Sequence, residues 1–280
     1  MRCHPLGDAQ KRGIVCQLWP RGCVYGIKRC PAQHRAQIAV KDVRGIHADP
    51  CDFLCALSER GPFQDNAEWL QALRQADDQR EEKISSFAQE KTDYVNPLFF
   101  LQKLDAFLAD NSIIVADGGD FVGTASYILK PRGPLTWLDP GIFGTLGVGA
   151  GFAMGAKLSR PDSEVWLIYG DGSAGYSLQE FDTYVRHKIP VIAVIGNDGG
   201  WAQIARDQVE VLKSDIATRL NRTDYHKVVE GFGGKGFLID REDQIQPTLE
   251  QARETAQKGI PVCINLLIGA TDFRKGSISM

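Results

Sequence analysis

Two short apolar runs, each ending in a turn rich in glycine and acidic residues, constrain the fold of this chain more than any other feature. Residues 165–168 lead into Gly170-Asp171-Gly172, and residues 191–195 lead into Asn197-Asp198-Gly199-Gly200. Short apolar runs of this kind are typical of buried parallel strands. Between them, apolar residues recur at helical spacing at Leu178, Phe181 and Val185. The segment is therefore predicted to form a strand, a turn, a helix and a second strand.

The predicted crossover places Asp171 and Asp198 at one edge of a sheet. A strand–helix–strand connection is right-handed, so both turns lie at the carboxyl ends of neighbouring strands. Open α/β sheets bind ligands at that edge, and the flanking glycines let a ligand approach the backbone closely. Carboxylate oxygens on such turns suit a magnesium ion that holds a diphosphate. Alternatively, the segments at residues 170–172 and 197–200 are two ordinary β-turns that bind no ligand.

The rest of residues 96–268 also alternates between predicted strands and helices. Asn96 is a predicted N-cap that begins one helix, and residues 113–116 form a short strand that ends in the turn at residues 117–120. The glycine-rich residues 141–151 open another helix, whose amino terminus presents free N–H groups to anions. Six such units predict an α/β fold with a doubly wound parallel sheet.

The beginning of the chain differs from the rest in charge and in cysteine content. Residues 1–50 carry nine Lys or Arg against three acids, whereas the net charge of the whole chain, −3, gives no indication of nucleic acid binding. Six of the seven cysteines lie here, at Cys3, Cys16, Cys23, Cys30, Cys51 and Cys55. Because no Cys-x-x-Cys pair and no secretory signal occur, neither a zinc site nor a disulfide framework is favoured. Residues 1–38 are interpreted as a basic, cysteine-rich and poorly structured arm.

The two turns and four further stretches resemble the thiamine-diphosphate enzymes. The signature of that family is GDG, a gap similar to the 24 residues found here, and then usually Asn-Asn. The other stretches are DGGDFVGTA at 117–125, PRGPLTWLDPG at 131–141, FGTLGVGAGFAMGAKL at 143–158 and TDFRKGSI at 271–278. The similarity is greatest to the branch that contains acetolactate synthases and 2-hydroxyacyl-CoA lyases. It implies that residues 96–280 form the thiamine-diphosphate-binding domain and that residues 39–95 are the remnant of a central domain with a linker.

The resemblance also implies a cofactor site, residue by residue. Asp171, Asp198 and the carbonyl of Gly200 would hold Mg²⁺. The family commonly has an asparagine where Asp198 stands, so Asn197 remains open as the second ligand. Further cofactor contacts are implied at Gly118, Gly119, Gly144, Thr145, Leu146, Gly170, Gly172 and Ser173. Among these, Leu146 would impose the bent cofactor conformation, and the carbonyl of Gly144 would accept a hydrogen bond from the cofactor's amino group.

Trp201 and Gln203, which follow the second turn, are candidates for the substrate pocket. Trp201 and Gln203 would face the acyl or aldehyde group at the start of a predicted helix, residues 202–211, that covers the site. The alternative for Trp201 is that its indole only packs in the core. The resemblance implies an acyl-CoA or a 2-oxo or 2-hydroxy acid as substrate, with the cofactor as the electron sink for carbon–carbon cleavage.

One catalytic group is expected outside this chain. In the family, the activating glutamate belongs to a separate pyrimidine-binding domain that is contributed across a dimer interface. The catalytic acid of this chain therefore stays unknown, and two hypotheses remain: a lyase domain that needs the missing domain in trans, from a second copy or a partner chain, or a non-catalytic cofactor-binding or association fragment. The resemblance implies a location at the endoplasmic reticulum. The chain itself lacks an apolar run of about twenty residues, which leaves a cytoplasmic location open.

Overall fold

The computed structural model describes residues 48–61 and 66–276. The chain divides into two compact units, Met1–Ala72 and Leu73–Met280. The predicted basic arm over residues 1–38 lies outside the described residues. In the first unit, helix α1 (Pro50–Ser58) begins after Asp49, whose carboxylate accepts the N–H groups of Cys51 and Asp52 as an N-cap. Helix α2 (Ala67–Ala88) begins in the first unit and continues into the second.

The second unit is built around one parallel sheet. Its six strands lie in the order β2-β1-β3-β4-β6-β5, and every neighbouring pair is parallel. The predicted α/β fold with a doubly wound parallel sheet is thus confirmed. Along the chain the elements are α3 (Pro97–Phe107), β1 (Ile113–Ala116), α4 (Asp120–Ile128), β2 (Trp137–Leu138), α5 (Gly149–Ser159), β3 (Val165–Gly170), α6 (Asp171–Ser177), α7 (Glu180–His187), β4 (Val191–Asn197), α8 (Ala202–Leu212), α9 (Tyr225–Gly231), β5 (Lys235–Ile239), α10 (Ile245–Gln257) and β6 (Val262–Leu267).

Side chains of the central strands alternate between two apolar layers. Trp166 and Ile168 of β3 belong to the layer that contains buried residues of α3, α4 and α10, whereas Leu167 and Tyr169 belong to the layer of α5, α7 and α9. Strands β3 and β4 are buried along their whole length. Because both faces are covered, these strands need continuously apolar sequences, as the sequence predicted. In the part of the chain that the structure describes, no helix combines the length and the apolar composition needed to cross a bilayer.

The connection between β3 and β4 differs from the prediction of a single helix. Two helices, α6 and α7, follow β3, and α6 begins directly at Asp171. The buried face of α7 consists of Phe181 and Tyr184, while Val185 is only partly buried. The hydroxyl of Tyr184 donates to the carbonyl of Ala150 at 2.6 Å and so links α7 to α5. Apolar spacing alone does not identify such a position, since a tyrosine is buried where its hydroxyl finds an acceptor.

Candidate functional site

The carboxyl ends of β1, β3 and β4 bring three glycine-bearing turns together at one edge of the sheet. The register of β3 and β4 pairs Gly170 with Gly196, so the turns that follow these strands begin side by side. The turn after β1 touches the turn after β3 directly. The carbonyl of Gly118 accepts the N–H of Gly170 at 3.3 Å and the hydroxyl of Ser173 at 2.9 Å.

Asp171 joins the two turns that sequence analysis singled out. Its carboxylate is buried at the first position of α6. One oxygen, Oδ1, accepts the N–H of Gly172 at 2.8 Å, and the other, Oδ2, accepts the N–H groups of Gly199 at 2.9 Å and Gly200 at 3.1 Å. Burial raises the pKa of Asp171 to about 6, although these hydrogen bonds act in the opposite direction. The second turn is therefore folded around the side chain of the first.

Asp198 lies close enough to Asp171 for the two charges to interact. Its Oδ1 accepts the N–H of Gly200 at 3.0 Å. Burial, followed by the negative charges of Asp171 and Asp120, raises the pKa of Asp198 to about 7. Two partly or fully buried carboxylates that disfavour each other's ionised form make a site where a divalent cation removes the repulsion.

Asn197 is oriented differently from its neighbour. It is fully buried, and its amide nitrogen donates to the carbonyl of Thr223 and to Oδ1 of Asn265, both at 3.1 Å. Both amide hydrogens thereby serve contacts with β6 and with the segment that precedes α9. Within the described residues, Oδ1 of Asn197 is buried and has no hydrogen-bond partner. The side chain is thus held inside the sheet, with one acceptor unsatisfied.

Asp117 organises the glycine-rich loop, a role that sequence analysis did not assign. This buried carboxylate at the end of β1 accepts the N–H groups of Gly118 at 2.9 Å, Gly149 at 2.9 Å and Gly147, the last with both oxygens at 3.0 and 3.1 Å. Burial raises its pKa in spite of the bonds from Gly149 and Gly147. The sequence shows an aspartate directly after an apolar strand, but its partners Gly147 and Gly149 lie 30 and 32 residues further along the chain.

The loop before α5 carries the predicted conformation-setting residue. Gly144 and Gly147 have the positive φ angles of 57° and 86°, which favour glycine. Leu146 is partly buried against Gly118, since a Cβ added to Gly118 would lie 1.9 Å from Cδ2 of Leu146. Gly144 and Thr145 are exposed. The structure therefore brings Leu146 to the turn after β1, and the two residues before it lie at the surface.

Trp201 covers the turn after β3. A Cβ added to Gly172 would lie 2.7 Å from the six-membered ring of the Trp201 indole. The same indole meets the ring of Tyr176 edge-on, with centroids 6.3 Å apart. Its backbone N–H donates to the carbonyl of Thr218 at 2.7 Å. Trp201 and Gln203 are both partly buried at the start of α8, and the indole of Trp201 is the side chain that lies over Gly172.

Asp120 connects the elements around the site through contacts with two arginines. Asp120, the first residue of α4, forms an ion pair with Arg206 of α8, and Nε of Arg274 lies 3.8 Å from the same carboxylate oxygen. The guanidinium of Arg274 also lies where a side chain at Gly123 would stand. These contacts fix α8 and the end of the described chain to the beginning of α4.

Comparison with known proteins gives a consistent result. Residues 117–266 match the family described as thiamine pyrophosphate enzyme, C-terminal TPP binding domain. The chain is 57% identical over 248 residues to 2-hydroxyacyl-CoA lyase 2 of Danio rerio, with 86% of this chain and 39% of that protein covered. It is 34% identical over 225 residues to a probable acetolactate synthase of Mycobacterium bovis, with 80% and 40% covered. The chain spans about two fifths of the length of these relatives.

One solved structure supports the fold. The thiamine diphosphate-dependent 4-hydroxybenzoylformate decarboxylase of Rhodococcus jostii RHA1 superposes with a TM-score of 0.60 at 22% sequence identity. The superposition covers 65% of this chain and 34% of that one.

Proposed function

Because the chain belongs to the thiamine pyrophosphate enzymes and carries their C-terminal cofactor-binding domain, we propose that it binds magnesium thiamine diphosphate as part of a carbon–carbon lyase for 2-hydroxyacyl-CoA substrates. The cofactor is that of the family, and its usual partner is Mg²⁺. The observation that carries the proposal is the convergence of Asp171 and Asp198 among glycine turns at the carboxyl edge of the sheet. The substrate class rests on the relatives named 2-hydroxyacyl-CoA lyase 2.

The proposed metal ligands are Asp171, Asp198 and the carbonyl of Gly200. Asp198 is preferred to Asn197 because the charges of Asp198 and Asp171 interact, whereas the amide nitrogen of Asn197 is bonded to Thr223 and Asn265. Carboxylate and carbonyl oxygens are the ligands that magnesium prefers. The unsatisfied Oδ1 of Asn197 keeps that residue as the alternative.

The proposed diphosphate contacts lie on the turns after β1 and β3, at Gly118, Gly119, Gly170, Gly172 and Ser173. Three of these glycines do not tolerate a side chain. A Cβ at Gly118 would overlap Leu146, and a Cβ at Gly172 would overlap the indole of Trp201. Gly119 has a φ of 116° and packs on Gly170. Backbone N–H groups on such turns form anion-binding concavities.

Residues of this chain would then orient the reacting end of the cofactor. When bound, thiamine diphosphate supplies an electron sink for cleavage of the bond next to a carbonyl or hydroxyl carbon. Leu146 would support the bend of the cofactor, and Gly144 and Thr145 would lie beside its amino group. Trp201 and Gln203 would line the substrate side, where the indole also keeps water from the first turn.

The proposed partner is a pyrimidine-binding domain that supplies the activating glutamate, from a longer form of the chain, a second copy or another protein. Ile142 and Phe143, next to Gly144, are 95% and 86% exposed, and apolar side chains at this exposure favour contact with another surface. The proposed division is a central-domain remnant over residues 39–95 and the cofactor domain over 96–280. The second candidate function, a non-catalytic cofactor-binding fragment, keeps the same cofactor site.

Calorimetry tests the cofactor site. Thiamine diphosphate should bind the wild-type chain only when Mg²⁺ is present, Asp171→Asn should abolish this dependence, and Asp198→Asn should retain it. Asp215→Asn is the matched control, because Asp215 is an exposed acid whose partner is Arg219. Loss of binding in Asn197→Ala, with binding kept in Asp198→Ala, would move the second ligand to Asn197. Magnesium-independent binding in the wild type would refute the site.

Complementation separates the two candidate functions. A full-length 2-hydroxyacyl-CoA lyase 2 that is inactivated in its own cofactor-binding domain would be mixed with this chain, and cleavage of a 2-hydroxyacyl-CoA would be measured. Restored cleavage that disappears with Asp171→Asn supports the enzyme part. No restoration, with cofactor binding intact, supports the non-catalytic fragment.

A further inference from the structure

Arg222 lies against the second turn, and among the residues that the structure describes it forms no ion pair with an acid. It belongs to the segment between α8 and α9, which folds back over the carboxyl edge of the sheet. Nη1 donates to the carbonyl of Asn197 at 2.5 Å, and Nη2 donates to the carbonyl of Ile268 at 3.2 Å. Its guanidinium therefore spans the ends of β4 and β6, where the carbonyl of Asn197 also accepts the N–H of Ile268 at 3.1 Å.

The position of this guanidinium is fixed from two sides. Its Cζ lies 4.2 Å from the ring centroid of Tyr94, a distance at which a cation is attracted to an aromatic face. On the other side, Cγ of Arg222 lies 3.2 Å from where a Cβ of Gly199 would stand. Arg222 is exposed to solvent, but its guanidinium is held beside the second turn by the contacts with Asn197, Ile268 and Tyr94.

The charge of Arg222 acts on both carboxylates of the site. It lowers the pKa values of Asp171 and Asp198, against the effect of burial. The other arginines close to the turns, Arg206 and Arg274, are directed to Asp120. A diphosphate would add further negative charge to a site that already has two acids. Within the described part of the chain, the partners of Arg222 are two carbonyl groups and an aromatic ring, so its positive charge can balance these anions.

We propose that Arg222 is a positioning residue of the cofactor site, which holds the end of β4 and balances the negative charge that Asp198 adds beside the diphosphate. This inference rests on the proposed function. If it holds, loss of the Arg222 charge weakens binding of the magnesium–cofactor complex because Asp198 is charged. The effect should shrink when Asp198 is made neutral.

A double-mutant cycle tests this dependence. Arg222→Gln removes the charge and keeps an amide donor, and Arg222→Lys keeps the charge and loses the planar fork. We expect Arg222→Gln to weaken binding of magnesium thiamine diphosphate about fivefold in the wild-type background and less than about twofold in the Asp198→Asn background, while Arg222→Lys stays within about twofold. Arg219→Gln, in the same segment, is the matched control and should have no effect.

The outcomes discriminate between the possible roles. An equal loss for Arg222→Gln in both backgrounds would overturn the charge-balancing role, because a merely structural residue would act independently of Asp198. Binding of Mn²⁺ alone, followed by electron paramagnetic resonance, should not weaken in Arg222→Gln, since the removed charge repels cations. A parallel loss of Mn²⁺ binding would also overturn the inference. If the wild-type chain itself binds no cofactor, it is the proposed function that fails.

Discussion

Replacement of Asp117 by asparagine should damage the glycine loop, and the structure indicates by how much. The two carboxylate oxygens serve opposite sides: Oδ1 accepts from Gly118, Oδ2 accepts from Gly149, and both accept from Gly147. An asparagine has one acceptor oxygen, so either Gly118 or Gly149 loses its partner in each orientation of the amide. A buried donor without a partner costs about 1–3 kcal/mol.

A second effect acts in the opposite direction and is smaller. Burial raises the pKa of Asp117, which means that the charged form is disfavoured and that a neutral side chain relieves this penalty. Since the orphaned N–H and the weaker neutral hydrogen bonds remain, we expect Asp117→Asn to lower the free energy of unfolding by about 2 kcal/mol. Thiamine diphosphate affinity should fall as well, because the displaced loop carries Leu146.

Urea unfolding monitored by circular dichroism measures the free energy of unfolding, and amide hydrogen exchange at Gly118 and Gly149 shows which N–H group has lost its acceptor. Asp139→Asn is the matched control: Asp139 is exposed and accepts the N–H of Gly141 at 2.7 Å and Nε1 of Trp137 at 2.9 Å. Water can replace these bonds, so the control should change stability by less than about 0.5 kcal/mol. Equal effects of the two substitutions, or unchanged exchange at both glycines, would refute the reasoning.

Three further predictions follow from contacts in the second unit. Gly172→Ala should abolish cofactor binding and change the fluorescence of Trp201, because its methyl group would stand 2.7 Å from the indole; Trp201→Ala should restore folding stability to that variant, and an additive loss would contradict the contact. Tyr184→Phe should lower the free energy of unfolding by about 1 kcal/mol, measured in urea, because the buried hydroxyl bonds Ala150; Tyr176→Phe, at an exposed tyrosine, should change little. Burial raises the pKa values of Asp171 and Asp198 from 3.8 to about 6 and about 7, so between about pH 4 and 7 the folded chain binds more protons than the unfolded chain. The cofactor-free protein should therefore lose stability as pH rises through this range. A free energy of unfolding that does not depend on pH, or a pH dependence that is unchanged in Asp198→Asn, would refute this.

The sequence predicted the sheet because β3 and β4 are buried on both faces, and burial on both faces demands an uninterrupted apolar run. It also predicted which turns meet, since the handedness of the crossover leaves one arrangement for Asp171 and Asp198. Both predictions use local sequence patterns together with the general rule for the handedness of the crossover, so a single sequence is enough to make them.

Contacts between distant turns could not be predicted in this way. Asp117 and Gly149 are 32 residues apart, and Arg222 reaches a carbonyl 25 residues before it. Neither pair has a periodic signature, because each depends on where two loops meet after the sheet has formed. The same reason explains the choice of Tyr184 over Val185, which depends on the carbonyl of Ala150 in another helix.

The shared hydrogen bonds of Asp171 have an evolutionary consequence. Its Oδ2 accepts the N–H groups of Gly199 and Gly200, so the shape of the second turn depends on a side chain of the first turn. A lineage that substitutes Asp171 would lose one proposed ligand and, in the same mutational step, the acceptor that shapes the turn of the other proposed ligand, Asp198. Gradual decay of such a site, one ligand at a time, is therefore possible from the Asp198 side only.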